Sequence, residues 1–300
     1  MKKILVVEEE HLGKRLDKFL SSQLVSLSRT KIHSLIKEGL VLIDSKLKKS
    51  SFLISPGQQI SIILKEEKKE LKPFDFKVKI IYEDSDLIVV DKPSGLVVHP
   101  PQEGYHKTLV NALVFLKKEL SSSANTLRPG VVHRLDKETS GAMVLAKNEY
   151  SYNSLVGQFK ERKVFKKYRA IVWGRIKKEK MLIDLPLTRD TKNRLKMKVS
   201  FLKAKQARTD LEVLTHLEDS TYLSLKPQTG RMHQIRVHLK FLGFPIVGDK
   251  KYGIKDNYNE LFLHAKELRF THPREAKLLK FQSQLPDKFS KFIEEHKTRQ

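Results

Sequence analysis

The chain has 300 residues, which allows one large domain together with a small one. It contains no cysteine, which excludes disulfides, thiolate nucleophiles and cysteine-based zinc sites and suits a reducing cytoplasm. Its net charge of +24 indicates a polyanionic partner such as a nucleic acid, because clustered lysine and arginine side chains release counterions from phosphates.

The chain begins like a signal peptide, since two lysines precede a short apolar run. Residues 8–10 are three glutamates, and they end this run too early for a signal peptide. No apolar run elsewhere approaches the roughly 20 residues of a membrane span. We expect a cytoplasmic protein without a membrane partner, and we take it to be a monomer.

Residues 12–64 are predicted to form a small α+β module. A first helix at residues 15–24 has its apolar side chains on one face. Ser28 is suited to begin a second helix and Gly39 to end it. Short strands follow, the last of them at residues 59–64.

Basic side chains lie off the apolar stripes of both helices. The module resembles the S4 RNA-binding domain, most clearly in its Arg-Leu-Asp-Lys-Phe-Leu and Ser-Arg-Thr-Lys-Ile stretches. The resemblance implies that the second helix lies against an RNA backbone. The candidate phosphate contacts are Lys14, Arg15, Arg29, Lys31 and Lys37. A merely solvated basic face stays open as the alternative, because surface charge is often inert.

Residues 65–75 are predicted to be a linker, because the stretch is highly charged. A larger domain is predicted for residues 76–300, where the pattern becomes rich in strands. Near its start, residues 91–95 read Asp-Lys-Pro-Ser-Gly. The proline fixes φ and the glycine permits a tight turn, so we expect an architectural role for this motif. Asp91 is then a turn residue rather than a second reactive carboxylate.

The most informative stretch spans residues 131–141. Val131 and Val132 favour the end of a buried strand, and a second apolar stretch follows at residues 142–146. Between them the sequence His-Arg-Leu-Asp-x-x-Thr-Ser-Gly places Asp136 on a polar excursion, where a rigid scaffold can hold a reactive group. A solvated Asp–Lys pair in a loop would show the same pattern, since loop charges are usually solvated.

Later stretches carry further candidates. A strand is predicted at residues 163–173, and it contains Tyr168. Alternating basic residues at 194–199 predict a strand that either follows a phosphate backbone or protects a sheet edge. A Thr-Gly-Arg turn then leads into a helix at residues 232–242, which carries Arg236. Further helices are predicted at residues 108–120, 149–162 and 286–295.

Three histidines invite a zinc interpretation: His233, His238 and His264. Their spacing is not the His-x-x-x-His of helical zinc sites, and no cysteine is present to assist. We therefore expect neither a metal nor another cofactor.

Taken together, the motifs resemble the RluA family of pseudouridine synthases over nearly the whole chain. The resemblance implies that Asp136 is the catalytic residue, that Tyr168 packs against the target base, and that Arg236 pairs with the catalytic carboxylate. It also implies that Arg134 enters the gap left by a flipped-out base. The matched motifs supply further candidates for contact with the substrate, namely His133, Thr139, Arg231 and His233.

The resemblance implies an α+β fold, with a mixed, largely antiparallel sheet around a central cleft beside the small α+β S4 domain. It implies an isomerase that converts uridine to pseudouridine in large-subunit ribosomal RNA. Arginine beside a carboxylate favours the ionised form, which suits covalent catalysis on a nucleoside. The first step stays open between attack on C1′, attack on C6 and removal of the 2′-proton. The group that removes the C5 proton, Tyr168 or a water, stays open too.

Other functions fit parts of the pattern. A transfer RNA could be the substrate in place of ribosomal RNA, or the chain could be an RNA-binding assembly factor without catalysis. A glycoside hydrolase is a further alternative, because Asp136 and Glu138 on an extended segment would lie roughly 7 Å apart on one face. Against the last two stand the separate motifs around Asp136, Tyr168 and Arg236.

Overall fold

The computed structural model describes residues 2–24, 27, 29–63, 71–102, 104–122 and 127–297. The chain divides into two compact units, Met1–Lys68 and Lys69–Gln300. Ser28, predicted to begin the second helix, lies outside the described residues, as do residues 65–70 of the predicted linker.

The smaller unit consists of a four-stranded antiparallel sheet and two helices. Its helices are α1 (Leu16–Gln23) and α2 (Arg29–Lys37), and its strands are β1 (Lys2–Val6), β2 (Val41–Ile43), β3 (Lys46–Leu47) and β4 (Gln59–Ile63). The order in the sheet is β1-β4-β2-β3, so the first strand pairs with the last. The module therefore extends to the N-terminal side of residue 12, where its predicted start lay.

Both helices of the smaller unit bury the stripe that their periodicity predicts. In α1 the side chains of Leu16, Phe19 and Leu20 are buried, at the i, i+3 and i+4 spacing of one helix face. The buried residues of α2 follow the same spacing and share one core with α1 and with the inner face of the sheet. After α2, Gly39 has φ +73° and ends the helix as predicted, because glycine adopts this left-handed conformation without strain.

The larger unit is built on a nine-stranded sheet flanked by helices. Its strands are β5 (Lys79–Glu83), β6 (Leu87–Lys92), β7 (Ser140–Ala146), β8 (Phe165–Trp173), β9 (Lys180–Asp184), β10 (Leu187–Arg189), β11 (Met197–Val199), β12 (Arg208–His216), β13 (Ser220–Pro227), β14 (Leu263–Thr271) and β15 (Leu278–Gln282). Its helices are α3 (Leu109–Phe115), α4 (Glu149–Lys160), α5 (Gln234–Phe241) and α6 (Asp287–Glu295).

In the large sheet the strand order is β5-β6-β7-β14-β8-β13-β12-β9, with β15 paired to β14. All pairs are antiparallel except β7 with β14, which is parallel. The predicted α+β class with a mixed, largely antiparallel sheet is confirmed.

Helices cover the sheet on both faces near its β6–β7 end. Ile88 and Val90 of β6 pack in a cluster with α3, whereas Leu87 and Val89 point to the opposite face and pack with α4. Every residue of β7 is buried. Strands buried on both faces need apolar residues at every position, and this explains the continuous apolar runs in the sequence.

Residues 71–75 of the predicted linker belong to the larger unit. Leu71 and Phe74 pack against the core cluster that contains α3. The backbone N–H of Phe74 donates to the Asn111 carbonyl at 3.1 Å, and the Asn111 amide donates to the Lys72 carbonyl at 2.7 Å. The two apolar side chains of this stretch are thus half-buried against the core, although charged residues precede them in the sequence.

The strand predicted to end at Val132 is absent. Val131 makes only an isolated bridge to Leu145, and residues 133–139 form a loop. Strand β7 then begins at Ser140, so the central motif joins a loop to one strand rather than connecting two strands.

The helix predicted at residues 108–120 is shorter than expected. Thr108 caps it as predicted, since its hydroxyl accepts a hydrogen bond from the backbone N–H of Asn111. The helix ends at Phe115, and Lys117 then has φ +53°, a left-handed conformation that stops an α-helix. No helix among the described residues is long and apolar enough to cross a membrane.

The basic strand predicted at residues 194–199 forms only over β11. It pairs with β10 in a separate two-stranded sheet, and it lies outside the nine-stranded sheet. The predicted basic strand is therefore short, and its charged residues lie in and beside this small two-stranded sheet.

Candidate active site

A cleft of about 490 Å³ opens in the larger unit. Five segments line it: the loop before β7, the C-terminal end of α4 with the start of β8, the turn between β13 and α5, the first turns of α5, and the start of β14. The side chains that the sequence predicted for this unit all lie along it, namely His133, Arg134, Asp136, Thr139, Tyr168, Arg231, His233 and Arg236. Residues far apart in the chain thus meet in one place.

The turn that carries Asp136 is held by the Asp-Lys-Pro-Ser-Gly motif. The Gly95 N–H donates to the Lys137 carbonyl at 2.9 Å, and the Ser94 hydroxyl donates to the Glu138 carbonyl at 2.7 Å. Within the turn, the Thr139 N–H donates to the Asp136 carbonyl at 3.2 Å. The motif therefore acts on the architecture of the site, because it fixes the backbone on the C-terminal side of Asp136.

Lys92 of this motif is fully buried beneath the turn. Its Nζ donates to three carbonyls, those of Pro93 and Leu96 at 2.8 Å and that of Lys137 at 3.1 Å. Burial lowers the pKa of Lys92 to about 7, although the charges of Asp136 and Glu138 act in the opposite direction. Three acceptors match the three N–H donors of an ammonium group. Sequence reasoning missed Lys92, and the available signal was a lysine at the end of an apolar strand, directly before a proline.

The final glycine of the central motif is required by the neighbouring strand. Gly141 has φ +118°, and a Cβ at this position would lie 2.3 Å from the Ala265 carbonyl oxygen. This close approach is where β7 runs parallel to β14. Next to it, the Ser140 hydroxyl and His264 Nδ1 are 2.9 Å apart, which ties the two strands together.

Arg236 is the most buried charged group of the cleft, with 2% of its surface exposed. Its Nε and Nη2 donate to the two oxygens of Asp249 at 2.8 and 2.7 Å. Its Nη1 lies 3.4 Å from Asp136 Oδ2 and 3.3 Å from Glu138 Oε2. Burial alone would lower the pKa of Arg236, but the hydrogen bonds and charge of Asp249, with the other two carboxylates, raise it above the ordinary value.

Asp249 is a site residue that sequence reasoning did not single out. It is buried, and its Oδ1 also accepts hydrogen bonds from the backbone N–H groups of Lys251 and Tyr252 at 2.9 and 3.0 Å. These bonds orient the Asp249 carboxylate toward Arg236. The oriented carboxylate in turn holds the guanidinium in one position. The signal in the sequence was the Gly-Asp-Lys-Lys-Tyr-Gly stretch at residues 248–253, in which an aspartate follows a glycine just after the α5 helix.

His233 immediately precedes α5 in a left-handed conformation, with φ +54°. Its Nδ1 is 2.7 Å from the Tyr252 hydroxyl, and its Nε2 is 3.9 Å from Asp136 Oδ1. Burial lowers the pKa of His233, with the charge of Asp136 opposing it. A non-glycine residue in this conformation is strained, and such strain concentrates at functional sites.

Tyr168 lies on β8 with its side chain in the cleft. Burial, and after it the charge of Asp136, raises the pKa of Tyr168 far above the ordinary value. The phenol therefore stays protonated, so the ring can pack against a base and the hydroxyl can donate a hydrogen bond. A neutral Tyr168 is poorly suited to remove a proton.

His133 supports the loop from inside. Its Nε2 accepts a hydrogen bond from the Val144 N–H at 3.1 Å, and its ring stacks on Phe159 with centroids 4.5 Å apart. Burial lowers the pKa of His133 to about 3, and the charge of Lys166 adds to this. The ring is therefore neutral and acts as a fixed part of the cleft wall.

Arg134 and Arg231 lie at different depths of the cleft. Arg134 is exposed at the surface of the loop. Arg231 donates from Nε to the Gln206 carbonyl at 3.1 Å, and its backbone N–H donates to Gln234 Oε1 at 3.0 Å. The Arg134 side chain is thus accessible to a ligand. Arg231 is partly engaged in stabilising the turn before α5.

The basic candidates of the smaller unit have different surroundings. Arg15 donates two hydrogen bonds to Asp17, both at 3.0 Å, so its guanidinium is already engaged in an ion pair. Lys14 Nζ lies 2.9 Å from His11 Nδ1. Arg29 and Lys37 are exposed and Lys31 is half-buried. Sequence reasoning missed Lys48 and Lys49, which share a shallow groove with His33 and Lys37.

Each of the three histidines considered for zinc has a protein partner. His233 bonds to Tyr252, His264 to Ser140, and His238 Nε2 lies 2.9 Å from the Leu185 carbonyl. Within the described part of the chain, the one group with metal-ligand spacing is Glu8, Glu10 and His11 in the smaller unit, and it includes none of these three.

Comparison with known proteins agrees with this division into two units. Residues 86–241 match the family model described as RNA pseudouridylate synthase. Residues 14–60 match the S4 domain.

Relatives of similar length extend these matches. The chain is 39% identical to an uncharacterised RNA pseudouridine synthase of Bacillus subtilis over 293 residues, which cover 97% of this chain and 96% of the relative. It is 39% identical to the ribosomal large subunit pseudouridine synthase D of Neisseria meningitidis serogroup A over 298 residues, covering 94% and 79%. The solved structure of human RNA pseudouridylate synthase domain containing 1 shares 26% identity, with a TM-score of 0.58 over 75% of this chain and 97% of that one. The chain therefore belongs to the RNA pseudouridine synthase family, as an isomerase that acts on RNA and carries an S4 domain.

Proposed function

We propose that the chain isomerises specific uridines of large-subunit ribosomal RNA, with the carboxylate of Asp136 as the catalytic group. The observation that carries this proposal is the position of Asp136 in the cleft, 3.4 Å from the buried Arg236 and beside the neutral phenol of Tyr168. An ionised carboxylate, a fixed cation and an aromatic ring are the elements that covalent catalysis on a flat base requires.

The reaction rearranges atoms within one nucleotide. The N1–C1′ glycosidic bond breaks, C5 bonds to C1′, and the proton on C5 is lost while N1 gains one, so no co-reactant is consumed. Attack by Asp136 on C1′ or on C6, or its removal of the 2′-proton, would each start from this geometry. Arg236 keeps the carboxylate in place, because Asp249 holds the other side of the guanidinium.

Tyr168 holds the uracil while it is detached from the sugar. Its ring presents a face for stacking, and its hydroxyl is a donor because burial keeps it protonated. The target must leave its base stack to reach the cleft. Arg134, exposed on the loop next to Asp136, is placed to enter the gap that the base leaves.

Ribosomal RNA is favoured as the substrate by two observations. Three similar proteins carry the name ribosomal large subunit pseudouridine synthase D, at 35–39% identity. The S4 domain and the net charge of +24 provide a second, sequence-tolerant contact with RNA phosphates. In the smaller unit Lys14, Arg29, Lys31 and Lys37 are the proposed phosphate contacts, and Arg15 contributes through the part of its side chain that Asp17 leaves exposed.

The enzyme is proposed to act in the cytoplasm as a monomer. The lack of cysteine suits a reducing compartment. No residue of the proposed mechanism has to be supplied by a partner subunit.

Tritium release from RNA labelled at uridine C5 tests the proposal. Large-subunit ribosomal RNA transcripts are treated with the wild type and with Asp136→Asn, which keeps the shape and removes the charge. We expect release by the wild type and a loss of at least about 1,000-fold in the variant, as for other residues on which a covalent mechanism depends.

A transfer RNA transcript is the parallel substrate. Tritium release from transfer RNA alone would show that transfer RNA, rather than ribosomal RNA, is the substrate. It would leave the proposed role of Asp136 unchanged. Equal release by the wild type and Asp136→Asn would overturn the role of Asp136. Tight binding to ribosomal RNA without release from either RNA would favour an assembly factor.

A further inference from the structure

One wall of the cleft carries a lysine that no assigned role uses. Lys166 lies two residues before Tyr168 on β8, so the two side chains share a face and start about 7 Å apart. Lys166 is half-buried and lines the cleft. Among the described residues, no carboxylate pairs with its Nζ and no acceptor bonds to it. A half-buried cation without a counter-charge has lost part of its hydration and has gained no partner in return.

A second cation stands beside Lys166. Arg162 follows α4 and also lines the cleft, and its charge, after burial, lowers the pKa of Lys166. Its side chain is exposed and likewise has no ion-pair partner within the described ranges. Two neighbouring cations repel each other, and an anion bound between them would relieve both the repulsion and the desolvation.

Arg162 occupies a backbone position that favours glycine. It has φ +61°, its N–H donates to the Phe159 carbonyl, and the next N–H donates from Lys163 to Gln158 at 2.9 Å. This is the Schellman ending of a helix, and two other helices of the chain end in the same way with Gly39 and Gly243.

The strain at this position is not by itself a functional signal. Lys117 ends α3 with the same two hydrogen bonds and φ +53°, yet it is exposed and does not line the cleft. What distinguishes Arg162 is that its side chain reaches the cleft next to Lys166.

The other cations of the cleft are engaged or lie elsewhere. Arg236 is held by Asp249, and Arg231 donates to the Gln206 carbonyl. The His133 ring, which is close enough to Lys166 to feel its charge, is neutral and stacked on Phe159. The uncompensated positive charge of this wall therefore comprises Lys166, Arg162 and Lys160, an exposed residue at the end of α4, and Lys166 is the least exposed of the three.

We propose that Lys166 and Arg162 form a phosphate-binding subsite, which holds a phosphodiester of the RNA next to the target uridine. Tyr168 on the same strand face contacts the base, so one strand positions both the base and an adjoining phosphate. The inference rests on the proposed function, because it takes the cleft around Asp136 as the uridine site.

The first test uses the glycine preference of the two helix ends. Arg162→Gly and Lys117→Gly each remove one positive charge and place glycine where φ is positive, so both variants are expected to melt at the wild-type temperature or above it. On a C5-tritiated transcript that the wild type turns over, we expect Arg162→Gly to raise KM about tenfold with kcat within about threefold, as for loss of one charge-assisted contact. Lys117→Gly is expected to leave both constants unchanged.

The second test uses neighbouring lysines on one strand. Lys166→Gln removes the proposed contact, whereas Lys167→Gln removes the same charge from the opposite face of β8. The slope of log(kcat/KM) against log salt is expected to flatten by about 0.7–0.9 in Lys166→Gln, which corresponds to one phosphate contact. Lys167→Gln is expected to keep the wild-type slope.

A short RNA substrate identifies the phosphate. A methylphosphonate next to the mapped uridine neutralises one phosphodiester. It is expected to raise KM for the wild type and for Lys167→Gln. In Lys166→Gln the contact is already lost, so the methylphosphonate is expected to raise KM no further. The inference would be overturned if the methylphosphonate and Lys166→Gln raised KM independently and additively at both flanking phosphates. It would also be overturned if Lys166→Gln changed kcat alone and kept the wild-type salt slope. If the wild type and Lys117→Gly turned over no uridine, the proposed function itself would fail, which is a different result.

Discussion

Each unit of the molecule contains an arginine that binds a buried aspartate through two nitrogens. In the smaller unit Arg15 lies 3.0 Å from both oxygens of Asp17, and in the larger unit Arg236 lies 2.8 and 2.7 Å from those of Asp249. The aspartate side chains are similarly buried, at 6% and 1% exposure. The arginines differ, because 42% of the Arg15 side chain is exposed but only 2% of Arg236.

This difference decides what each pair can do. The exposed Arg15 stabilises the first turn of α1, while water screens the rest of its charge. The buried Arg236 is shielded from solvent, so its remaining nitrogen acts on the nearby Asp136 with less screening than Arg15 has. The same two residue types thus form a structural ion pair in one unit and the support of the proposed active site in the other.

The largest effect is expected from Arg236→Met. Removal of the guanidinium leaves Asp249 buried and unpaired, which costs about 3–5 kcal/mol of stability. It also leaves Asp136 without its cation, so tritium release from ribosomal RNA should fall at least about 100-fold. Thermal unfolding and kcat/KM measure the two consequences.

A double variant separates these consequences. Arg236→Met combined with Asp249→Asn removes both charges, so much of the lost stability should return while activity stays as low as in Arg236→Met. Recovery of activity in the double variant would show that Arg236 acts only through folding, and the comparison with Arg15 would lose its basis.

The two units should also respond differently to acid. In the larger unit burial lowers the pKa of His99 and His264 to about 4 and that of His133 to about 3, from an ordinary value of 6.5. The unfolded chain therefore binds more protons below pH 6.5, and stability is lost as pH falls, by up to about 1.4 kcal/mol per pH unit for each ring.

The smaller unit should resist acid further. The side-chain hydrogen bond from Arg15 lowers the pKa of Asp17 from 3.8 to about 2, against the effect of burial, so the stability from this pair is lost only between these values. Trp173, the single tryptophan, reports unfolding of the larger unit by fluorescence, and amide exchange in α2 reports the smaller one. A larger unit that stayed native down to pH 4 would contradict the expected order.

A smaller effect is expected from Asp17→Asn. The variant removes the charge that faces Arg15 and His33, and it should destabilise the smaller unit by about 1–3 kcal/mol. We expect KM for ribosomal RNA to rise while kcat stays unchanged, since the chemistry lies in the other unit. Glu38→Gln, at an exposed position after α2, is the control. A fall in kcat with an unchanged KM would assign Asp17 a role in the reaction.

The smallest effect is expected from Glu138→Gln. Glu138 shares Nη1 of Arg236 with Asp136, but 43% of its side chain is exposed and water screens its charge. Tritium release should change by less than about threefold. A loss as large as that of Asp136→Asn would instead indicate a pair of catalytic carboxylates, as in the glycoside hydrolase alternative.

The sequence by itself determined the local structure and the main site residues. The spacing of apolar residues predicted α1, α2, α4 and α5, because the helical repeat and burial on one face leave a periodic record. Short motifs singled out Asp136, Tyr168 and Arg236, since each lies in a stretch of distinctive composition. The family and the α+β fold followed from the same motifs and are confirmed.

Only the tertiary structure decided how these residues meet. Asp136 and Arg236 are separated by 100 positions in the chain, and no periodicity reports a contact over that distance. The roles of Lys92 and Asp249 were hidden for the same reason, because a buried charge looks like any other until its partners are known. Strand β1 was missed, and residues 131–132 were wrongly assigned to the end of a strand. Both errors arose because pairing across a sheet depends on distant strands rather than on local propensity.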